Sequence, residues 1–196
     1  MNQQPSIGQW LPIAAMIGVL AGSSVLLTSW LSGMPSMGWF GAVWALFISW
    51  GAWFSIGAKM KRLPKFLVGL VGGVFFGWLT LVLMGVISSV VGGTFGLPLT
   101  VFFVATTIVL LELTDLFELA FVYFFAYASF FAYVFGNFDK QDGMSAAMAW
   151  GVQSFHFIIL LFLGVVYAIV TVWLKNMIFD VERVPLERRN TVFDKE

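Results

Sequence analysis

The amino-acid sequence predicts an all-α polytopic membrane protein, a bundle of six transmembrane helices with both termini on the cytoplasmic side. Three observations carry that prediction. The chain has 196 residues, of which 60% are hydrophobic and 10% charged, with a mean hydropathy of +0.95, whereas soluble domains are nearer one quarter charged. Its apolar residues fall in runs of about the 20 residues that cross roughly 30 Å of hydrocarbon. Nine of its ten Lys and Arg residues lie in two places, one holding Lys59, Lys61, Arg62 and Lys65, the other Lys175, Arg183, Arg188, Arg189 and Lys195; Lys140 stands alone.

The apolar runs fall at 11–31, 39–58, 66–91, 97–111, 116–136 and 145–174. Turn residues mark most of the breaks: Gly33 with Pro35, the basic loop closed by Pro64, Gly92-Gly93 through Gly96 and Pro98, and the polar stretch 137–143. The stretch 97–136 is the hard case, because nothing beyond Pro98 interrupts it. As one helix it would reach about 60 Å, twice the hydrocarbon thickness. Splitting it at 112–115 also places both basic clusters on one side and Lys140 on the other, as the excess of cytoplasmic Lys and Arg requires; five spans would divide the clusters. The domain organisation expected is a six-helix transmembrane domain, 1–175, and a cytoplasmic tail, 176–196. The tail continues the sixth helix, frays after Pro185 and is mostly solvated, with Arg183, Arg188 and Arg189 within reach of anionic headgroups. The first ten residues lack Lys and Arg, so the first run is expected to be retained as a span rather than cleaved.

Glu112, Asp115 and Glu118 fall at the turn between spans four and five. Asp115 suits the N-cap of span five with Glu118 three residues on, a capping-box spacing favoured by the positive end of the helix dipole. The sharper alternative is a cation or proton site at the cytoplasmic mouth, with Glu112 its best candidate because a helix C-terminus disfavours an anion. Trp10, Trp30, Trp39, Trp150 and Trp173 fall near span ends and read as interfacial anchors. Phe117, Phe121, Phe124, Phe125, Phe130, Phe131 and Phe135 in span five read as packing or lipid-facing residues.

Gly69, Gly73 and Gly77 in span three, and Gly18 and Gly22 in span one, recur every four residues and offer faces for close helix packing. Ser49-Trp-Gly-Ala-Trp53 and Ser129-Phe-Phe-Ala-Tyr133 share a small and aromatic pattern. Gly73-Val74 with Trp78 can likewise be aligned with Gly151-Val152 and His156. Together these suggest a 3+3 inverted repeat of the kind that builds transporters.

Polar residues at helical spacing mark a substrate path: Ser24 and Thr28 on span one, with Ser32 a turn further on, and Gln153 and His156 on one face of span six. The plainer reading of each hydroxyl is a bond to its own helix backbone or to a neighbouring helix. His156 is the single histidine. An ionisable group inside a span usually faces a cavity or a partner, and an imidazole with a reference pKa near 6.5 can relay protons; the alternative is a neutral ring bonded between helices. No acid adjoins it in sequence, which argues against a metal site. Zero cysteines exclude disulfides and thiolate chemistry, and a net charge of zero argues against nucleic acid. No catalytic motif is present, so neither an enzyme nor a cofactor is expected. The function expected is transport, by a channel or small permease, of a small neutral or weakly charged solute. The alternatives are a non-transporting subunit or scaffold packed through its glycine faces and a proton- or cation-coupled carrier. The partners are the lipid bilayer and the solute, and the glycine faces also suit a homo-oligomer.

Met34-Pro35, Trp39-Phe40, Phe47-Ile-Ser-Trp50-Gly-Ala-Trp-Phe54-Ser-Ile-Gly57, the basic loop, and Gly69 to Gly77-Trp78 form a series of aromatic and glycine patterns. Over residues 10–85 this series resembles the small bacterial inner-membrane proteins grouped as domain of unknown function 1097. The resemblance implies a multi-pass protein of the bacterial cytoplasmic membrane and transfers no site residue.

Overall fold

A computed structural model of the protein describes residues 7–178. Six helices make up the bundle: α1 (Ile7–Ser32), α2 (Val43–Ser55), α3 (Leu63–Val91), α4 (Gly93–Leu111), α5 (Ala120–Phe135) and α6 (Ala146–Ile178). Single 3-10 turns, Gly38–Gly41, Met60–Arg62 and Asp115–Phe117, precede α2, α3 and α5. The expected fraying after Pro185 and the headgroup contacts of Arg183, Arg188 and Arg189 lie outside the described residues.

The helices are of two kinds. Those from α1, α3, α4 and α6 are long and apolar enough to cross a membrane. Helices α2 and α5 have 13 and 16 residues, about 20 and 24 Å at 1.5 Å per residue. Both are shorter than the apolar runs that announced them, for local reasons. Trp39 and Phe40 coil into a 3-10 turn rather than opening α2, and Gly57 and Ala58, with φ of 81° and 51°, leave the helical region and close it. Residues 115–117 likewise form a turn, so α5 starts at Ala120. A helix of that length leaves terminal N–H and C=O groups that hydrocarbon does not tolerate unless protein covers them. Both are accordingly among the best-buried elements: α2 buries Leu46, Ser49, Trp50 and Trp53, and α5 buries Val122, Tyr123, Ala126 and Phe130. The break expected from Gly92 to Pro98 contracts to Gly92 alone, whose φ of 89° reverses the chain; Pro98 sits inside α4.

Two close crossings hold the bundle. In the first, α3 lays its glycine face on α5. A Cβ at Gly69 would come within 2.9 Å of Val122 Cγ1, one at Gly77 within 2.6 Å of Phe130 Cδ1, and one at Gly73 would strike the Tyr123 carbonyl oxygen and lie 2.7 Å from Ala126 Cβ. In the second, α6 crosses α2 at Gly164, where a Cβ would strike the Leu46 carbonyl oxygen and Ser49 Oγ. Ser49 Oγ also donates to the Leu161 carbonyl at 2.7 Å, a bond between helices that close approach permits. Trp53 meets Phe66 edge-on at 5.2 Å, and Phe130 meets Phe157 at 5.9 Å. Gly18 and Gly22 face no other helix of the bundle: nothing described lies within 4 Å of a Cβ at either, and α1 exposes Val19, Leu26 and Trp30.

Candidate functional site

Polar side chains collect at the two ends of the bundle. At the basic end, Lys65 in the first turn of α3 holds two carboxylates from the α4–α5 link, Asp115 Oδ1 at 2.7 Å and Glu118 Oε1 at 3.0 Å. The capping-box expectation is therefore corrected: Leu119 occupies the cap of α5, with no side-chain bond, because Lys65 draws both acids away. Glu112 caps α4 at its C-terminus and is exposed, with no ion pair among the described residues. The three acids do not close around a shared space, so an added cation at Asp115 and Glu118 would have to displace an ammonium.

The opposite end is built by the α5–α6 link. Asn137 turns the chain with φ of 58°, a conformation asparagine adopts more readily than most residues. Phe138 then packs under the bundle against Trp44 at 5.8 Å and Tyr133 at 6.3 Å. That anchor carries Asp139 inward until it is only 5% exposed. Its Oδ2 lies 2.8 Å from His156 Nδ1, and its Oδ1 accepts from Gln141 Nε2 at 2.6 Å. Its backbone carbonyl accepts from Gln153 Nε2. The Trp39 ring stacks on the imidazole, with centroids 4.4 Å apart and planes within 6°, and Phe40 stacks behind Trp39 at 3.9 Å. An imidazole whose Nδ1 faces a carboxylate donates to it through the N–H at that nitrogen, and Nε2 is its second polar atom.

Two further polar atoms at this end are buried. Gln153 Oε1 is an acceptor with no donor, and the Tyr133 hydroxyl lies beside the Asp139 carboxylate, its natural acceptor. Buried polar groups are normally satisfied, so Gln153 Oε1 is open to a water or a polar solute that can donate to it. A metal is poorly served, since among the described residues no three His, Cys, Asp or Glu side chains gather to hold one.

Of the four residues expected to line a path, the structure brings together Gln153 and His156, through Asp139. Ser24 and Thr28 are buried, but their hydroxyls turn back onto α1, to the Ala21 carbonyl at 2.8 Å and the Ser24 carbonyl at 2.9 Å. Trp39, expected as an interfacial anchor, is buried against the imidazole instead, whereas Trp30 and Trp173 are exposed. Asp139 was not singled out by the sequence, where it reads as part of a solvated turn. The one hint was Phe138, an apolar residue without purpose in a polar loop. Elsewhere an apolar cleft of about 230 Å³ lies between α4 and α5, lined by Leu97, Val101, Tyr127, Ala128, Phe131 and Phe135. None of the His156 cluster reaches it.

Comparison with curated proteins and with solved structures finds no match. The family model described as Protein of unknown function (DUF1097) matches residues 14–176, well beyond the 10–85 stretch that carries the aromatic and glycine patterns, so it takes in both Asp139 and His156. The chain is a membrane protein and belongs to that family.

Proposed function

We propose that this protein is a permease of the bacterial inner membrane that moves a small neutral or weakly charged solute by alternating access, and that it is neither an open channel nor an enzyme. The observation that carries this reading is that the contacts of α2 with α6 recur as contacts of α5 with α3. The Leu46 carbonyl and Ser49 cover Gly164 as the Tyr123 carbonyl and Ala126 cover Gly73. Trp53 lies against Phe66 as Phe130 lies against Phe157. Buried Thr80 and Thr171 each donate to the carbonyl four residues back, at 2.9 and 2.7 Å. The register we propose differs from the one suggested by sequence pattern: it sets Ser49 against Ala126 rather than Ser129, and Gly73 against Gly164 rather than Gly151, where a Cβ would meet nothing within 4 Å.

Halves of three spanning helices are necessarily inverted with respect to each other, and inverted halves can exchange conformations to open opposite ends in turn. The excess of Lys and Arg at the Lys65 end favours the cytoplasm for that end and the outside for Asp139. An open pore is disfavoured because the hydroxyls of Ser24 and Thr28 are occupied and covered. The test is flux into proteoliposomes, with a panel of small neutral solutes and weak acids, between pH 5 and 8. Flux above empty liposomes for at least one solute is expected; none, with folded protein present, would sink the transport reading. A second reading, a non-transporting subunit, is favoured by the exposed apolar face of α1 with Leu11, Val19, Leu26 and Trp30, and predicts cross-linking through α1 without flux.

A further inference from the structure

The register that pairs Phe66 with Phe157 also pairs the residues immediately before them, Lys65 and His156. The register that pairs Leu46 with Tyr123 also pairs the turn Gly38–Gly41, which holds Trp39, with the turn Asp115–Phe117 and Glu118 beyond it. At each end, then, a cationic or ionisable side chain near the start of the paired segment of a long helix is held under the 3-10 turn that leads into a short one. Lys65 is held by Asp115 and Glu118; His156 is held by the Trp39 ring and by Asp139 from the α5–α6 link.

We infer that these two clasps are the two gates of the permease, equivalent by the repeat, and that the His156 gate is worked by protons whereas the Lys65 gate is not. The inference rests on the transport reading for its consequence but not for its test. An ammonium keeps its charge from pH 5 to 8, while an imidazole changes charge within that range. The groups around the His156–Asp139 pair are the uncharged Trp39 ring on the imidazole and, on the side of Asp139, the Tyr133 hydroxyl from α5 and Gln153 from the helix of His156. Lys140 and Asp142 in the same link are exposed. Protonation turns a hydrogen bond from a neutral ring into one charged on both sides, which is stronger, and sets a cation against the face of an indole, which attracts it. Both changes tighten the clasp. Acid on the Asp139 side therefore shuts that end and, under alternating access, favours opening at the Lys65 end.

The chain has no cysteine, so single cysteines can report each gate. Ala42 lies buried just behind Trp39 and Phe40, and Ala120 lies buried at the start of α5, next to Leu119, the match of Ala42; each is replaced by cysteine in turn. Labelling by a hydrophilic maleimide is measured in nanodiscs, which leave both faces accessible, and is normalised at each pH to the exposed Met144→Cys. Normalised labelling of Ala42→Cys should rise about tenfold from pH 5 to pH 8, since a hydrogen bond charged on both sides is stronger by roughly that factor. It should stay low at both values when His156→Lys is added, and high at both with His156→Gln; Ala120→Cys should change in the opposite sense. Equal Ala42→Cys labelling at pH 5 and 8, or a pH dependence that survives His156→Gln, overturns the inference. If Ala42→Cys does not fold, hydrogen exchange of 137–144 replaces it: at pH 8 the unsubstituted protein should exchange about tenfold faster than His156→Lys, with no difference at pH 5. Equal exchange at both values overturns the inference as well. Labelling needs no solute, so pH-dependent gating without flux would remove the transport reading and leave the clasp, and flux without pH-dependent labelling would do the reverse.

Discussion

Each end of the molecule holds a basic side chain against acidic partners, Lys65 at one and His156 at the other, in opposite surroundings. Around Lys65 the carboxylates are largely in solvent, with Asp115 91% and Glu118 42% exposed. Around His156 the carboxylate is almost entirely withdrawn, with Asp139 at 5% and the imidazole at 21%. The two ends thus carry different energetics: an exposed pair contributes little, while a buried anion that loses its partner destabilises strongly. Breaking the contacts is therefore cheap at Lys65 and costly at Asp139.

The comparison depends on the helix crossings that place both ends, and breaking these gives the largest effect. Gly73→Leu would force a side chain into the α5 backbone, and Gly164→Leu would do the same to α2. Overpacking by even a few methylenes costs about 1–3 kcal/mol, and backbone cannot move aside as a side chain can. Neither variant is expected to yield monodisperse protein in detergent by size-exclusion chromatography, whereas Gly18→Leu and Gly22→Leu, which meet nothing described within 4 Å, should behave as the unsubstituted protein. A stable Gly164→Leu beside an unfolded Gly73→Leu would end the equivalence of the two halves.

Next in size is the contrast between the clasps themselves. His156→Ala leaves the Asp139 carboxylate buried without its ionisable partner, and should cost about 3 kcal/mol. Lys65→Ala, which removes an exposed pair, should cost far less. Thermal unfolding in one detergent, followed by tryptophan fluorescence, ranks the two, and equal losses would contradict the difference in burial. Salt sharpens the same comparison: at 1 M the screening length is about 3 Å, so the effect of Lys65→Ala should vanish while that of His156→Ala persists.

These differences were only partly legible in the sequence. The six helices were readable because apolar runs of about 20 residues have one common cause, the thickness of the hydrocarbon. The turns that shorten α2 and α5 were not, because Trp39-Phe40 and Leu116-Phe117 are as apolar as the helices they precede, and hydropathy does not distinguish a 3-10 turn from an α-turn. Asp139 was hidden for a different reason: it reaches His156 across 17 positions by a fold-back of the link, and neither helical period nor any spacing rule connects a loop to a helix. The glycine face of α3 was visible by its four-residue spacing, but Gly164 stands far along α6 from Gly151 and had no four-residue spacing to betray it. The repeat register suggested by the sequence differs from the one proposed from packing for a related reason, since short small-and-aromatic patterns match in several alignments.

The smallest effect tests the repeat at a single pair of residues. Thr80 and Thr171 correspond in the proposed repeat, and each bonds the carbonyl one turn back. Only Thr80 also meets a second hydroxyl, Tyr127 at 3.0 Å, in a buried bond. At the place of Tyr127 the α2 half has Trp50, whose ring meets Tyr167 at 5.6 Å and whose Nε1 finds no partner. Thr80→Val therefore strands the Tyr127 hydroxyl, at a cost of about 1 kcal/mol, while Thr171→Val strands nothing and should be near neutral. Because both substitutions keep side-chain shape and remove the same bond within the helix, their difference isolates the bond between α3 and α5. If Thr171→Val is as costly as Thr80→Val in thermal unfolding, the loss belongs to the helix backbone in both halves, and the α3–α5 bond contributes nothing of its own.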